Sequence, residues 1–484
     1  MLDYKFLKSL LQEAIPLKES SKRRILKANN FLLKGFRKNR YPFLSNGAEK
    51  EFQIAQILSQ KGITPKVWGI YEENSWKWVV FDYLKDFITL EEFLKRHPWP
   101  TIGNNTRKVI IKKLAYIIAS LWESSILQTD IHPNNLLINP SNPQDIKLID
   151  FHRANLKKRD KSLILNQLAY LLPPFQENIP FSTKSFFIRY LMQLLPKEIQ
   201  ISSVDLQKII EKSYKLQRRY WRKFKRRLLR RKMIKTLKRG NIVLQYNSNI
   251  SPQIYNFFLT KDFKERLTTS IINTLKRRPD KEIFLVKIEK DVFWIKKEKG
   301  IKTLFRRKLY QTWWNHWRLK IRNIPSPEPL IFIKVHRASY LLTKIISEEF
   351  VLLKKALKSH DSYLKKDIPY LAKLIWDMHQ KGIIHGDLKA SNIFWNKKQK
   401  FILVDLEDVK ESQNVSFRKC CKDLIPLLAS FEDHFPQAKL SLLFLNTYFN
   451  LWKLPKGKRI KLTKQIFNEV EKTVTHRRKR RGEI

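Results

Sequence analysis

Two short stretches of this chain each carry an aspartate five residues ahead of an asparagine: Asp130-Ile-His-Pro-Asn-Asn135 and Asp387-Leu-Lys-Ala-Ser-Asn392. Each is followed by an apolar run that ends on a second aspartate, Leu148-Ile-Asp150 and Leu403-Val-Asp405. Each is preceded by a lysine in a strand-like run, Lys34 in Phe31-Leu-Leu-Lys34 and Lys296 in Phe293-Trp-Ile-Lys296, with the adjacent Lys297 an open alternative to Lys296. Lysine, aspartate, asparagine and aspartate, in that order, are the parts that phosphoryl transfer requires. A strand lysine neutralises nucleotide α/β-phosphates, and a loop aspartate orients an acceptor hydroxyl and takes its proton. The asparagine and the later aspartate offer oxygen ligands suited to Mg²⁺. Chemistry of this kind is mostly positioning and charge neutralisation, so side-chain type and spacing carry the signal.

The elements that must position these groups recur in one order. The first half reads as a strand at Phe31–Lys34, a helix over Ala48–Leu58 stopped at Lys61-Gly62, and strands at Lys66–Tyr71 and Trp76–Phe81. The second half reads as a strand at Phe293–Lys296, a helix from about Leu309 to Ile321, and strands at Pro329–Lys334 and Tyr340–Lys344. Equivalent residues keep nearly constant separations: 262 between Lys34 and Lys296, 257 between Asp130 and Asp387, and 255 between Asp150 and Asp405. Two tandem copies of one mixed α/β module account for this. The octapeptide His385-Gly-Asp-Leu-Lys-Ala-Ser-Asn392 fits a protein-kinase-like catalytic loop, H-R-D-L-x-x-x-N, except at Gly386. The expected fold is therefore α+β and protein-kinase-like, a small β-rich lobe and a helical lobe, duplicated in tandem.

Composition narrows the class. The 484 residues carry 97 Lys plus Arg against 44 Asp plus Glu, a net charge of +53, with 43% apolar and 12% aromatic content. That apolar content excludes a disordered basic tail protein, and the charge implies a polyanionic partner: nucleic acid, an anionic membrane surface, or a phosphorylated or acidic substrate. The only cysteines, Cys420 and Cys421, are adjacent, which suits neither a disulfide framework nor zinc spacing; they read as packing residues. No apolar run approaches the ~20 residues that span a bilayer, so a cytoplasmic chain with at most peripheral membrane contact is expected.

Between Arg218 and Arg239, 13 of 22 residues are Lys or Arg and none is acidic. Tyr220, Phe224 and Leu228 share a helical stripe that Leu229, Met233 and Leu237 continue, so the segment reads as a basic amphipathic helix stopped at Gly240-Asn241. Such a helix suits a peripheral membrane anchor. The expected domains are residues 1–216, a linker helix over 217–240, and residues 241–484 closed by the basic run His476–Arg481. No RNP-like aromatic motif, KH-type loop or zinc spacing is present to read bases, which disfavours nucleic acid as the partner.

At this point the sequence resembles a family. Leu148-Ile-Asp150-Phe-His-Arg-Ala154 with charge-rich Lys157–Lys161 beyond it, Asp405-Leu-Glu-Asp-Val409, and the stretch Phe293–Leu330 with Arg306-Arg307, a Trp-rich helix and Ile324-Pro-Ser-Pro-Glu-Pro are similar to the lipopolysaccharide core heptose and Kdo kinases. Those are kinase-like enzymes of Gram-negative bacteria that phosphorylate inner-core sugars. The resemblance implies Lys34 and Lys296 as phosphate-binding lysines, and Glu51 (Glu49 being the alternative) as the helix acid that pairs with the first of them. It implies Asp130 and Asp387 as catalytic aspartates, and Asn135, Asp150, Asn392 and Asp405 as Mg²⁺ ligands. It departs from the kinase pattern in four places. Thr312 stands where the second copy's helix acid belongs, Gln128 replaces the first loop's histidine, neither copy has a glycine-rich phosphate loop, and no activation segment follows either strand-end aspartate.

His132, His152 and His316 read as structural or hydrogen-bonding groups, and Trp313, Trp314 and Trp317 as core. The implied activity is ATP- and Mg²⁺-dependent phosphorylation of heptose or Kdo hydroxyls in lipopolysaccharide inner core. The substrate is then an anionic lipid-linked glycan met at the inner face of the cytoplasmic membrane, and the oligomeric state stays open. The rivals are a kinase of protein or of another small molecule, and a non-catalytic pseudokinase pair acting as a basic membrane- or RNA-binding scaffold.

Overall fold

A computed structural model describes residues 4–20, 23–38, 47–175, 181–260, 262–300, 308–412 and 416–483; Arg306 and Arg307 of the family resemblance lie outside them. The chain divides into two compact units, Met1–Leu216 and Gln217–Ile484.

The first unit opens with an antiparallel sheet of β1 (Ile15–Glu19), β2 (Arg23–Ala28), β3 (Phe31–Arg37), β4 (Val67–Glu73) and β5 (Trp76–Asp82), in the order β1-β2-β3-β5-β4. Side chains alternate across a strand. On β3, Leu33 joins Leu26, Trp78 and Val80 against the helix Tyr4–Gln12, while Phe36 packs in the cluster that holds Ile54, Ala55 and Leu58 of α1 (Gly47–Ser59). Lys34 has the parity of Phe36, so alternation alone turns its ammonium toward α1. Below the sheet, the long helix α2 (Asn104–Glu123) buries Ile110, Ile111, Leu114, Ala115, Ile117 and Ile118, an i, i+3/i+4 stripe. It backs a small sheet of Ile88–Thr89, Leu136–Asn139 and Asn142–Leu148. The Asp-to-Asn loop closes in a 3₁₀ turn, Pro133–Asn135, immediately before Leu136.

The second unit repeats this plan. Its sheet contains β6 (Ile234–Arg239), β7 (Ile242–Asn247), β8 (Ile271–Arg278), β9 (Lys281–Ile288), β10 (Asp291–Lys299), β11 (Pro329–Val335) and β12 (Ala338–Lys344), in the order β6-β7-β11-β12-β10-β9-β8. Strands β8 to β12 reproduce the order of β1 to β5, and the β6–β7 hairpin is added at the β11 edge. The helix α3 (Lys308–Lys320) takes the place of α1, and α4 (Leu364–Gln380), with Leu364, Ile368, Leu371, Ala372, Ile375 and Met378 buried, the place of α2. The small sheet recurs as Val351–Leu352, Ile393–Asn396 and Lys400–Leu403, and the 3₁₀ turn as Ala390–Asn392. Trp313, Trp314 and Trp317 are fully buried core residues, and Cys420 and Cys421 are buried too, their thiols pushed up to about 12 by burial.

The basic segment differs from the single linker helix expected over 217–240. Its first residues end a helix, Ser203–Arg222; a short helix, Phe224–Arg230, follows; and residues 234–239 are strand β6 of the second unit's sheet. Lys232 adopts a left-handed φ of 54°, which breaks the helical run, and β6 pairs with β7 from Ile234↔Asn247 to Arg239↔Ile242 around Gly240. Local helical periodicity loses here to cross-strand pairing, and the exposed Lys235, Lys238 and Arg239 suit a sheet edge that must not recruit another strand. The apolar stripe is divided: Tyr220, Leu229 and Met233 are exposed, whereas its other residues turn inward. Phe224 and Leu228 are buried with Trp313, Trp314 and Trp317, Phe224 lying edge-on to Trp314 at 5.8 Å. The C-terminal basic run likewise is no loose tail: it ends the helix Lys456–Arg481, which buries Ile466, Val470 and Val474 and pairs Arg481 with Asp433 at 2.7 Å.

One buried group makes the second unit's stability pH-dependent. His316, on α3, donates its Nδ1 proton to the Pro327 carbonyl at 2.9 Å, and burial pushes its pKa down to about 4. An unfolded histidine titrates near ~6.5. The folded state therefore keeps its full stability above that pH and loses it as the pH falls toward 4, because only the unfolded chain gains the proton. The loss amounts to about 3 kcal/mol. Chemical denaturation of the wild type and of His316→Gln between pH 7 and 4 checks this: the variant's curve for the second unit is expected to be flatter by about that amount.

Candidate active site

In the first unit β3 and α1 bring Lys34 and Glu51 together, and the turn after Leu148 brings in Asp150. The Lys34 ammonium lies 2.6 Å from Glu51 Oε1 and 3.0 Å from Asp150 Oδ1. Lys34 and Glu51 are 8% and 1% exposed, so this is a buried cation between two carboxylates. Burial works against the lysine's charge, but Glu51 and Asp150 outweigh it and hold its pKa above the ordinary value. Burial also opposes the Asp150 charge; the His152 hydrogen bond at 2.5 Å and the Lys34 ammonium reverse that and hold the carboxyl far below the usual range. Glu49, the alternative to Glu51, pairs instead with Lys77. Asp130 lies 3.1 Å from Arg153, and its backbone carbonyl accepts a hydrogen bond from the buried Asn135 side chain at 3.0 Å.

The second unit builds the same centre from other residues. Lys296 lies 2.9 Å from Asp405 Oδ1, whereas Lys297, the alternative, pairs with Glu282. No acid sits at Thr312, whose hydroxyl donates to the Lys308 carbonyl within its own helix. The missing carboxylate comes from Glu407, two residues beyond Asp405, which pairs with both Lys296 and Lys281. Asn315 of α3 fixes that turn by donating to the Leu406 carbonyl at 2.7 Å. Burial opposes the Lys296 charge, yet Asp405 and Glu407 together keep its pKa raised; burial then repulsion from Lys296 lower that of Lys281. Asp387 accepts from Lys389 at 2.6 Å and from Asn392 Nδ2 at 3.0 Å.

The two catalytic-loop supports also differ. Asp423, on the helix Phe417–His434, accepts from the backbone N–H groups of His385 at 2.9 Å and Gly386 at 2.8 Å, and lies 3.1 Å from His379. The first unit puts Gln167 at the position 256 residues earlier, where it exchanges two hydrogen bonds with the Gln128 backbone, at 2.9 and 2.8 Å. An aspartate that takes two backbone N–H groups in one copy is a glutamine that bonds one residue's backbone N–H and carbonyl in the other. Gly386, the one mismatch to the kinase loop, has a φ of 84°, and a Cβ there would stand 2.5 Å from the Asp408 carbonyl oxygen. An arginine cannot occupy that backbone.

Asp150 and Asp405 share a left-handed φ of 69° and 55°, which turns each carboxylate back toward its lysine. Asn135 and Asn392, by contrast, turn their side-chain amides to Asp130 and Asp387. Glu407, Lys281, Arg23, Gln167 and Asp423 were not singled out as site residues in the sequence. The acid lost at Thr312 could have directed a search to the residues around Asp405, and Gln128 could have directed one to Gln167.

Residues 311–448 match the lipopolysaccharide kinase (Kdo/WaaP) family, and residues 21–173 match the protein kinase domain. The chain holds two tandem protein-kinase-like regions, and the match to the lipopolysaccharide kinase family model lies in the second. It is a phosphotransferase. Among solved structures, WaaP in complex with acyl carrier protein is similar at 16% identity and a TM-score of 0.37, over 47% of this chain and 97% of that one. The bifunctional kinase-methyltransferase WbdD is similar at 16% identity and a TM-score of 0.27, over 40% of this chain and 47% of that one. No curated protein matches the chain in sequence.

Substitution of Gly386 tests the backbone argument. Gly386→Ala should destabilise the second unit by about 1–3 kcal/mol through strain at positive φ and the clash with Asp408, with phosphotransfer reduced in parallel. Denaturant unfolding and turnover measured on the same preparation check it, and an unperturbed variant would refute the close approach.

Proposed function

We propose that the chain transfers the γ-phosphate of ATP to sugar hydroxyls, heptose or Kdo, of lipopolysaccharide inner core, with the second unit performing the transfer. The observation that carries this reading is that the lipopolysaccharide kinase match, residues 311–448, spans the loop of Asp387 and Asn392 together with Asp405 and Glu407, the two carboxylates that pair with Lys296. Lys296 would meet the nucleotide phosphates. Asp387, held by Lys389 and Asn392, would orient the acceptor hydroxyl and accept its proton as the oxygen attacks the γ-phosphorus and ADP leaves. Asn392 and Asp405 in this unit, and Asn135 and Asp150 in the first, would hold Mg²⁺, which when bound neutralises charge on phosphate oxygens.

The first unit retains Lys34, Glu51 and Asp150, but its loop has Gln128 where the second has His385 and rests on the Gln128–Gln167 pair. That combination favours nucleotide binding with weaker acceptor chemistry. Among the described residues no helix is long and apolar enough to cross a membrane. With Phe224 and Leu228 packed inside the second unit and Tyr220, Leu229 and Met233 exposed, contact with an anionic membrane would rest mainly on surface charge, for which a net +53 is ample.

Mass spectrometry of lipopolysaccharide from cells of the native host carrying Asp130→Ala, Asp387→Ala or both tests the proposal. Asp387→Ala is expected to remove a core phosphate and Asp130→Ala to leave it largely in place. Unchanged core phosphorylation in all three strains would refute the substrate assignment.

A further inference from the structure

Neither copy has the glycines that let a loop's backbone N–H groups wrap nucleotide phosphates. The residues joining β1 to β2 are Ser20-Ser21-Lys22, and those joining β8 to β9 are Pro279-Asp280, the proline having no N–H to offer. Strand register shows what stands there instead. On β2, Ile25 pairs with Lys34, so Arg23 is two residues before the lysine's cross-strand partner. On β9, Ile283 pairs with Lys296, so Lys281 holds the same position. Equivalent positions thus carry a cation in both copies, although the surrounding residues have diverged.

Both side chains turn into the site. Arg23 lies 3.8 Å from Asp150 Oδ1 and 3.4 Å from His152 Nδ1. Lys281 pairs with Glu407, and its side chain is 19% exposed while that of Arg277 on the same hairpin is 81% exposed. His152 and Glu407 are each two residues beyond their strand-end aspartate, so the same two positions meet in both units with different side chains. In each unit two cations then face two carboxylates: Arg23 and Lys34 with Glu51 and Asp150, Lys281 and Lys296 with Asp405 and Glu407. The two cations balance the two carboxylates, and with the aspartate engaged by Mg²⁺ both would be available to a polyphosphate.

We propose that Arg23 and Lys281 are phosphate-binding residues, taking by side-chain charge the part that glycine-rich loops take with backbone N–H groups. This rests on the nucleotide-binding reading above. The alternative is that each merely balances its neighbouring carboxylate, and the two make different predictions. A phosphate ligand discriminates ATP from adenosine, whereas a structural ion pair affects both alike.

Calorimetric titration of the full chain with Mg-ATP and with adenosine decides between them. Lys281→Ala and Arg23→Ala are each expected to weaken Mg-ATP binding at one of the two sites about 10- to 100-fold, as loss of a charge-assisted contact does, with adenosine affinity unchanged within about twofold. Lys281→Arg should keep most of the Mg-ATP affinity. Equal losses for both ligands, or no loss for either, would overturn the inference while leaving the kinase reading intact. A wild-type chain that binds no Mg-ATP would overturn both.

Discussion

A lysine ammonium with little access to water, held between two carboxylates, is the interaction around which each unit is organised. Unpaired, a buried ammonium would cost several kcal/mol or lose its proton. The strand supplies the lysine, the turn after a second strand supplies one carboxylate, and the other comes from the helix in one unit and from that same turn in the other. The sheet, the neighbouring helix and the left-handed strand-end aspartate are thereby tied to a common point. Removing any of the three groups leaves an uncompensated charge where the fold has already excluded solvent.

The two copies satisfy this constraint with different residues. In the first, the helix contributes Glu51. In the second, the helix has Thr312 and the carboxylate arrives from Glu407 on the turn, which Asn315 of that same helix pins through the Leu406 carbonyl. The helix in the second copy has become an anchor for the acid where in the first it is the source of it. A parallel exchange occurs beneath the catalytic loop, where Asp423, bonded to the His385 and Gly386 N–H groups, is replaced by Gln167, bonded to the Gln128 backbone. Both exchanges keep the hydrogen-bond demand at the point of contact satisfied, which is what a buried polar network requires.

Much of this was legible in the sequence because the informative residues recur in register. Lys34, Asp130, Asn135 and Asp150 and their partners Lys296, Asp387, Asn392 and Asp405 could be found by spacing, and period-2 and period-3.6 patterns placed the strands and helices around them. What could not be read was set by tertiary pairing. Glu407 looked like one acid in an acidic turn, and only the packed structure brings it to Lys296. Residues 234–239 continued a helical stripe, and only the partner strand β7 makes them a strand. Choosing Glu51 over Glu49 and Lys296 over Lys297 likewise required knowing which face of each element looks inward.

The claim most open to direct test is that Glu407 has taken over the helix acid's part with Lys296. A double-mutant cycle of Lys296→Met and Glu407→Gln, read as the rate of ATP-dependent phosphate transfer, measures it. If the two act as a unit, the double variant will be little worse than the poorer single one, giving a coupling of about 1–3 kcal/mol. Losses that simply multiply, within about 0.5 kcal/mol, would show that Glu407 acts independently of the lysine and would contradict the account.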